Sequence, residues 1–262
     1  SKNPINLIGD KSLSKRDFYR VTIPLEKFGA KFKTNSGKLP IIIKGTNLPN
    51  PIRYNETKGS AQCKSAIMLA ALNTKGETII KAKKSRNHTE LLLKYLKIPI
   101  KIKSNGEYDL IEVKGLNEIK SFDYHVPGDI SSAAFFIVLT LLSKKSKIII
   151  KKINVNETRI GIIKILNKIN SKIILKNKKN YKGEKVADII VKSSKLLKPI
   201  NCPSSLNSSA IDELLLIFLV AGTKVKGISK FNQLGELNKK ESPRLNIAVK
   251  FLKMIGVKVL RN

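Results

Sequence analysis

The groups in this sequence best suited to chemistry are a few arginines that precede predicted helices. Only seven of the 51 lysine and arginine residues are arginine, and four of these, Arg16, Arg86, Arg159 and Arg244, each open an amphipathic stretch. A guanidinium group binds a carboxylate or a phosphate through two parallel hydrogen bonds. Because the N-terminus of a helix already carries partial positive charge, arginines there indicate bound anions. The pattern predicts that small anions are held at several helix N-termini.

Two carboxylates stand at comparable positions. Asp212, in residues 211–213 (IDE), opens an apolar stretch, where the helix dipole would stabilise its charge even without catalysis. Glu241 lies in residues 240–244 (KESPR), which by themselves predict a helix start with Ser242 as the N-cap. These patterns alone leave both a structural and a catalytic role open for each carboxylate.

The four arginine-led segments form an internal repeat. They begin 70, 73 and 85 residues apart, and each contains an amphipathic stretch, a break and a short alternating segment. The breaks fall at Gly29, Pro99, Asn170 and Gly256. This order predicts four copies of a surface helix followed by a strand.

A second, almost wholly apolar series interleaves with the first. It comprises residues 60–72 (SAQCKSAIMLAAL), 131–142 (SSAAFFIVLTLL) and 211–221 (IDELLLIFLVA). A helix that is apolar all round must be enclosed on all sides, and a polar residue such as Gln62 at its start is expected to need a hydrogen-bond partner. Each unit therefore combines one buried helix, one surface helix and several strands, which predicts an α/β fold.

The amino-acid composition argues against several classes of protein. The formal net charge of +32 attracts anions, but lysine is spread along the whole chain beside Ile and Asn, which is typical of a general compositional bias. The longest apolar runs are too short to span a bilayer and no leader is predicted, so a membrane protein or a secreted protein is not expected. Cys63 and Cys202 are far apart, which argues against a disulfide scaffold or a cysteine zinc site and favours a reducing cytosol.

Eight short segments, which occur in the order expected of that family, resemble motifs of the EPSP synthase (5-enolpyruvylshikimate-3-phosphate synthase) family. The resemblance covers essentially the whole chain. The similarity is greatest to the bacterial branch with SAQ and R-x-HTE motifs. The segments are GDKSLSKR (9–16), SAQCKSAIMLAAL (60–72), RNHTE (86–90), VPGDISSAAFF (126–136), NETRIG (156–161), GEKVADIIVKSS (183–194), IDE (211–213) and KESPR (240–244).

The resemblance implies a two-domain enolpyruvyl-transferase fold, an inverse α/β barrel built from βαβαββ units. The family has six units and the repeat count here is four, so the chain is expected to be a central fragment. Residues 1–125 would form two units of the first lobe and residues 126–262 two units of the second. Family residues at the front and back have no counterpart here, so the chain alone is expected to be inactive.

The resemblance also implies a reaction. The family transfers the enolpyruvyl group of phosphoenolpyruvate to the 5-hydroxyl of shikimate 3-phosphate and releases phosphate. One proton reaches the methylene carbon and another leaves the attacking hydroxyl, without a metal or another cofactor. A cytoplasmic, monomeric enzyme of aromatic amino acid biosynthesis that binds neither membrane nor specific nucleic acid is expected.

Residue roles follow from the same resemblance. Asp212 would take the hydroxyl proton and Glu241 would exchange a proton with the intermediate. Phosphoenolpyruvate would be bound by Arg16 and Arg244, and shikimate 3-phosphate by Lys240 and Asp212. The remaining residues expected to bind substrate are Ser60, Ala61, Gln62 and Arg86.

The last motif departs from the family pattern at three positions. Pro243 replaces an aspartate, which removes a carboxylate beside Arg244, and Asn238 and Lys239 replace an arginine and a valine. Proline is well tolerated at the first position of a helix, so the backbone is expected to be kept. The replacement of the aspartate by Pro243 is expected to affect the orientation of the Arg244 side chain.

Two other functions remain as alternatives. An enolpyruvyl transferase acting on a UDP-amino sugar shares the implied fold, but that family uses a loop cysteine, and neither Cys63 nor Cys202 is predicted in such a loop. A basic nucleic-acid-binding protein would suit the charge. Aromatic residues make up only 6% of the chain and form no stacking series, so specific nucleic-acid recognition is poorly supported.

Overall fold

The computed structural model describes residues 3–194, 197–239 and 243–261 and divides the chain into two compact units. Unit 1 comprises Ser1–Asp123 and unit 2 comprises Tyr124–Asn262. Each unit has its own hydrophobic core. Mixed sheets and helices alternate along the chain, so the α/β class predicted from the sequence is confirmed. The number of repeat units stays a prediction.

Unit 1 contains two sheets. The first has the order β1-β3-β2 and is antiparallel, with β1 at Ile5–Leu7, β2 at Lys31–Asn35 and β3 at Lys38–Lys44. The second has the order β4-β5-β7-β6, and its strands are β4 (Arg53–Glu56), β5 (Glu77–Lys83), β6 (Ile100–Asn105) and β7 (Tyr108–Lys114). Only β4 and β5 run parallel in this sheet.

The described residues of unit 1 also form three α-helices: α1 at Tyr19–Lys27, α2 at Ala61–Leu72 and α3 at His88–Tyr95. The order β4-α2-β5-α3-β6-β7 is one complete βαβαββ sequence. Helix α2 is central, because its side chains Ile67 and Met68 are buried against Ile80 of β5 and Ile111 of β7. Helix α1 packs on α2.

Unit 2 is built around an antiparallel sheet of order β8-β10-β9. Its strands are β8 (Lys147–Asn154), β9 (Lys172–Tyr181) and β10 (Glu184–Lys192). A short parallel pair joins β11 (Asn201–Cys202) to β12 (Lys230–Phe231). The five helices that the described residues form in this unit are α4 (Ile130–Leu142), α5 (Gly161–Lys168), α6 (Asn207–Ala210), α7 (Leu214–Thr223) and α8 (Arg244–Met254).

The arginine-led segments form helices at all four predicted places. The helices begin at or within three residues after the arginine, at Tyr19, His88, Gly161 and Arg244. Strands β2, β6 and β9 follow the first three. The strand predicted after α8 is wrong, because residues 257–261 form none. A strand needs a hydrogen-bonded neighbour, and in unit 2 no described strand lies beside this segment.

Helix α4 is less enclosed than the sequence predicts. In α4, Phe135, Phe136 and Leu139 are 64%, 55% and 61% exposed. Helix α4 packs on β8, β10 and α7, and no other described element of unit 2 covers this side. The prediction that α4 is enclosed all round is therefore wrong for the described residues.

No single described helix is long and apolar enough to cross a membrane. The segments 204–210 and 214–223 reach the required length and composition only as a pair, and they are bent by 119° at their junction.

Candidate active-site residues

The start of α2 carries three of the predicted substrate-binding residues. Ser60 is the N-cap, and its Oγ accepts a hydrogen bond from the backbone N–H of Cys63 at 3.2 Å. Ala61 and Gln62 occupy the first turn, where backbone N–H groups have no acceptor within the helix. Gln62 is exposed, so water can be the hydrogen-bond partner that its side chain is expected to need. The turn presents N–H donors and partial positive charge to an anion.

Arg16 and Arg86 precede α1 and α3, and both are half-buried. Arg16 lies at the end of a short 3₁₀ turn, and its backbone N–H donates to Leu13 O at 3.1 Å. The next residue, Asp17, accepts a hydrogen bond from Tyr19 N–H at 2.7 Å and so helps to start α1. Local backbone structure thus fixes Arg16 beside the start of α1.

A buried ion pair joins α2 to α3. Lys64 Nζ lies 2.5 Å from Glu90 Oε1, with side chains that are 1% and 4% exposed. Beside this pair, the hydroxyl groups of Ser65 and Thr89 are hydrogen-bonded at 2.7 Å. The spacing of Asn87 and Glu90 resembles a capping box, but Asn87 makes no side-chain cap hydrogen bond and Glu90 pairs with Lys64 instead. A buried lysine in reach of Glu90 outcompetes the local cap.

The surroundings of Cys63 disfavour the thiolate form that a nucleophilic cysteine needs. Burial, followed by the charge of Glu56, raises the pKa of Cys63 to about 11, while Arg20 and Lys58 act in the opposite direction. A thiol of that pKa is almost wholly protonated at neutral pH. The same electrostatic neighbours show that Arg20 of α1 lies near the start of α2. Sequence reasoning missed this cation, although it stands only four residues after Arg16 in the sequence.

In unit 2 a polar network joins three helix starts. Asp129 is the N-cap of α4, and its Oδ2 accepts from the backbone N–H of Ser132 at 2.9 Å. Arg159, just before α5, donates from Nη2 to Asp129 Oδ1 at 3.1 Å and to Ser131 Oγ at 2.6 Å. Ser131 Oγ in turn donates to the buried carboxylate of Glu213, the N-cap residue of α7.

This network lowers the pKa of Asp129. Burial by itself raises that pKa, but hydrogen bonds from Ser132 and Ser131 and the charge of Arg159 outweigh it. The Asp129 carboxylate is therefore ionised at neutral pH and neutralises the cation beside the start of α5. Sequence reasoning placed Arg159 at a helix start but missed its carboxylate partner.

Asp212 and Arg244 lie together in unit 2. Arg244, the first residue of α8, donates from Nη1 to Asp212 Oδ1 at 3.0 Å, and the two side chains are 26% and 28% exposed. Asp212 stands in the turn between α6 and α7, so the predicted apolar helix begins at Leu214, after the IDE segment. Arg244, which has Pro243 instead of an aspartate beside it in the sequence, thus contacts a carboxylate from a different segment.

Two further residues hold these helix starts in place. Asn156 Oδ1 accepts from Thr158 N–H at 2.9 Å, and Asn156 O accepts from Arg159 N–H at 2.8 Å, which fixes the loop before α5. At Gly161 a Cβ would lie 2.6 Å from the backbone N of Ala210, so only glycine lets α5 approach α6 this closely.

The last motif is described in part. Pro243 is the N-cap residue of α8, and the side chain of Asn238 accepts a weak hydrogen bond from Asn246 N–H at 3.4 Å. The predicted cap at Ser242 is wrong, because Pro243 is the N-cap residue; Ser242 itself lies outside the described residues. Lys240 and Glu241 also lie outside the described residues. Their proposed roles stay predictions.

Neither cysteine lies in a loop. Cys63 is in α2 and Cys202 is in β11, and both are buried. Over the described ranges, no three His, Cys, Asp or Glu side chains come together as metal ligands.

Comparison with known proteins gives one consistent result. The family model described as EPSP synthase (3-phosphoshikimate 1-carboxyvinyltransferase) matches residues 1–262. A 3-phosphoshikimate 1-carboxyvinyltransferase from Ruthia magnifica subsp. Calyptogena magnifica is 42% identical over 96% of the chain, and one from Endomicrobium trichonymphae is 40% identical over 97%. The chain spans 57% and 58% of the lengths of these two relatives.

Solved structures agree with the sequence comparison. EPSP synthase from Acinetobacter baumannii superimposes on the whole chain with a TM-score of 0.86 at 33% identity, and the match covers 58% of that protein. The enolpyruvyl transferase NikO from Streptomyces tendae matches 85% of the chain with a TM-score of 0.60 at 11% identity, which shows likeness of fold alone.

Proposed function

The chain belongs to the EPSP synthase family, and we propose that the whole protein is a 3-phosphoshikimate 1-carboxyvinyltransferase. It would transfer the enolpyruvyl group of phosphoenolpyruvate to the 5-hydroxyl of shikimate 3-phosphate and release phosphate. Because the chain spans less than two thirds of its relatives' length, the activity is proposed for the whole protein.

The observation that carries this proposal is the contact between Asp212 and Arg244. These residues are 32 positions apart in the sequence, yet a guanidinium nitrogen and a carboxylate oxygen lie 3.0 Å apart. The family resemblance assigns proton removal to the first and phosphoenolpyruvate binding to the second. A carboxylate beside an anion-binding cation is the arrangement that a base acting on a hydroxyl next to a phosphorylated acid requires.

In unit 1 we assign substrate binding to the start of α2 and to the arginines beside α1 and α3. Ser60, Ala61 and Gln62 offer hydroxyl, amide and backbone donors, and Arg16 and Arg86 supply charge. Such donors suit the phosphate, carboxylate and hydroxyl groups of shikimate 3-phosphate and phosphoenolpyruvate. Lys240 and Glu241 keep their proposed roles in binding and in proton exchange. A cytoplasmic location and a monomeric state also stay predictions.

The decisive experiment measures phosphate release by the whole protein with both substrates present. Release that requires both substrates supports the proposal, and its absence with folded protein contradicts it. Asp212→Asn removes the base while keeping the size of the side chain, and we expect turnover to fall by about 10²–10⁴-fold. Substrate affinity should change far less.

The matched control is Asp188→Asn, the same change on β10, where the aspartate accepts hydrogen bonds from Lys152 N–H and Asn177. It should leave turnover within about twofold of the parent, since surface substitutions away from such sites have small effects. Equal losses in the two variants would remove Asp212 from the mechanism.

A further inference from the structure

The ion pair between Lys64 and Glu90 is costly for the fold. Both side chains are almost fully buried in the core of unit 1, next to Ile67 and Leu93. Removing two charges from water is repaid only when their remaining hydrogen-bonding capacity is also satisfied. Among the described residues, Glu90 Oε2 has no hydrogen-bond partner and Lys64 Nζ has none beyond its contact with Glu90. Stability alone therefore does not explain the pair.

The position of the pair is regular. Lys64 stands four residues, one helical turn, after Ser60, and Glu90 stands four residues after Arg86. The pair thus links α2 to α3 one turn inside the two segments to which substrate binding is assigned. The neighbouring hydrogen bond between Ser65 and Thr89 makes a second link between the same helices.

We propose that the Lys64–Glu90 ion pair is a positioning device that sets the spacing between two anion-binding segments, Ser60–Gln62 and Arg86. The inference rests on the proposed function for the identity of the ligand, shikimate 3-phosphate. Two directional contacts between helices define their register along both axes, whereas apolar side chains allow sliding at little cost. An anion bound by donors from both segments requires the donors to be correctly spaced before binding.

The test compares two double variants in the whole protein. Lys64→Met with Glu90→Leu replaces the ion pair by apolar side chains of similar volume, a change that is often neutral or stabilising for a fold. We expect an unchanged or higher melting temperature, a KM for shikimate 3-phosphate raised at least tenfold, and a kcat within about threefold of the parent. Lys64→Glu with Glu90→Lys restores an ion pair in reverse and should recover most of the affinity.

A second measurement makes the test independent of catalysis. In this chain, backbone amide hydrogen exchange of the first turns of α2 and α3 should be at least tenfold faster in the Met/Leu variant. Exchange in the central strands β5 and β7 should stay unchanged. If the unaltered protein releases no phosphate but exchange accelerates as expected, the proposed function fails and the positioning role stands. If exchange and KM are both unchanged in the Met/Leu variant, the positioning role is wrong.

Discussion

The two units join their helix starts by different means. In unit 1 the link between α2 and α3 is a lysine–glutamate pair with side chains that are 1% and 4% exposed. In unit 2 two arginine–aspartate pairs are partly exposed, with Asp129 51% and Asp212 28% exposed, and they stand beside the buried hydrogen bond from Ser131 to Glu213. Helix N-termini are therefore linked by a fully buried ion pair in unit 1 and by partly exposed ion pairs in unit 2.

This difference indicates which ion pairs could also contact a substrate. A fully buried pair cannot exchange its partner for a ligand, because desolvating either charge alone is too costly. A partly exposed pair such as Arg244 and Asp212 can exchange partners, since water and a substrate anion can reach both groups. Unit 1 thus uses its pair to hold geometry, whereas the pairs of unit 2 are accessible to a reacting molecule.

The largest effect expected from this comparison concerns single deletions of the cation. Lys64→Met leaves Glu90 buried without its partner and should lower the free energy of unfolding by about 3–5 kcal/mol. Arg159→Met removes a partly exposed cation and should cost about 1 kcal/mol. Urea unfolding of both variants measures the two values. Equal losses in the free energy of unfolding would show that the ion pairs of the two units do not differ in this way.

The next effect concerns the most buried member of the network in unit 2. Ser131→Ala removes a hydroxyl donor from the carboxylate of Glu213, which is 2% exposed. The loss should be about 1–3 kcal/mol, the usual cost of depriving a buried acceptor of a donor. Ser208→Ala, an exposed position on α6, is the matched control and should change stability by less than about 0.5 kcal/mol. A negligible loss from Ser131→Ala would show that this contact is as weak as the surface pairs.

A smaller effect should depend on pH. Asp129→Ala removes the N-cap of α4 and should cost about 1 kcal/mol at pH 7. The pKa of Asp129 is lower in the folded chain than its ordinary value, so its charge stabilises the fold above about pH 4 and this contribution is lost as pH falls through the folded pKa. Urea unfolding between pH 7 and pH 3 should show the difference from the parent shrinking at the acid end. A constant difference would mean that the Asp129 charge contributes nothing.

The last prediction is that the thiol of Cys63 does not react in the folded chain. With the pKa of Cys63 near 11, about one thiol in a thousand is ionised at pH 8. A Cys202→Ser variant should leave Cys63 unreactive toward an aromatic disulfide reagent in the folded chain and fully reactive in urea. Rapid labelling without denaturant would show that water enters the start of α2, and the dry character of unit 1 would be wrong.

The class of fold and the positions of most helices could be predicted from the amino-acid sequence. Residues 60–72 predict a helix that the structure has at Ala61–Leu72, and residues 131–142 predict one that it has at Ile130–Leu142. These predictions succeed because helix periodicity and N-cap residues are local properties of the chain. The ordered motifs were likewise sufficient to identify the family.

Which charged groups contact one another could not be predicted from the sequence and depends on how the helices pack. Lys64 stands in a predicted buried helix with no evident partner nearby in the sequence, and Asn87 with Glu90 resembles a local cap. The packing of α2 on α3 instead brings Lys64 to Glu90. Arg244 has lost the carboxylate beside it in the sequence, yet it reaches Asp212 in another segment. Such pairs depend on how distant elements pack in three dimensions, and local sequence patterns carry no information about that distance.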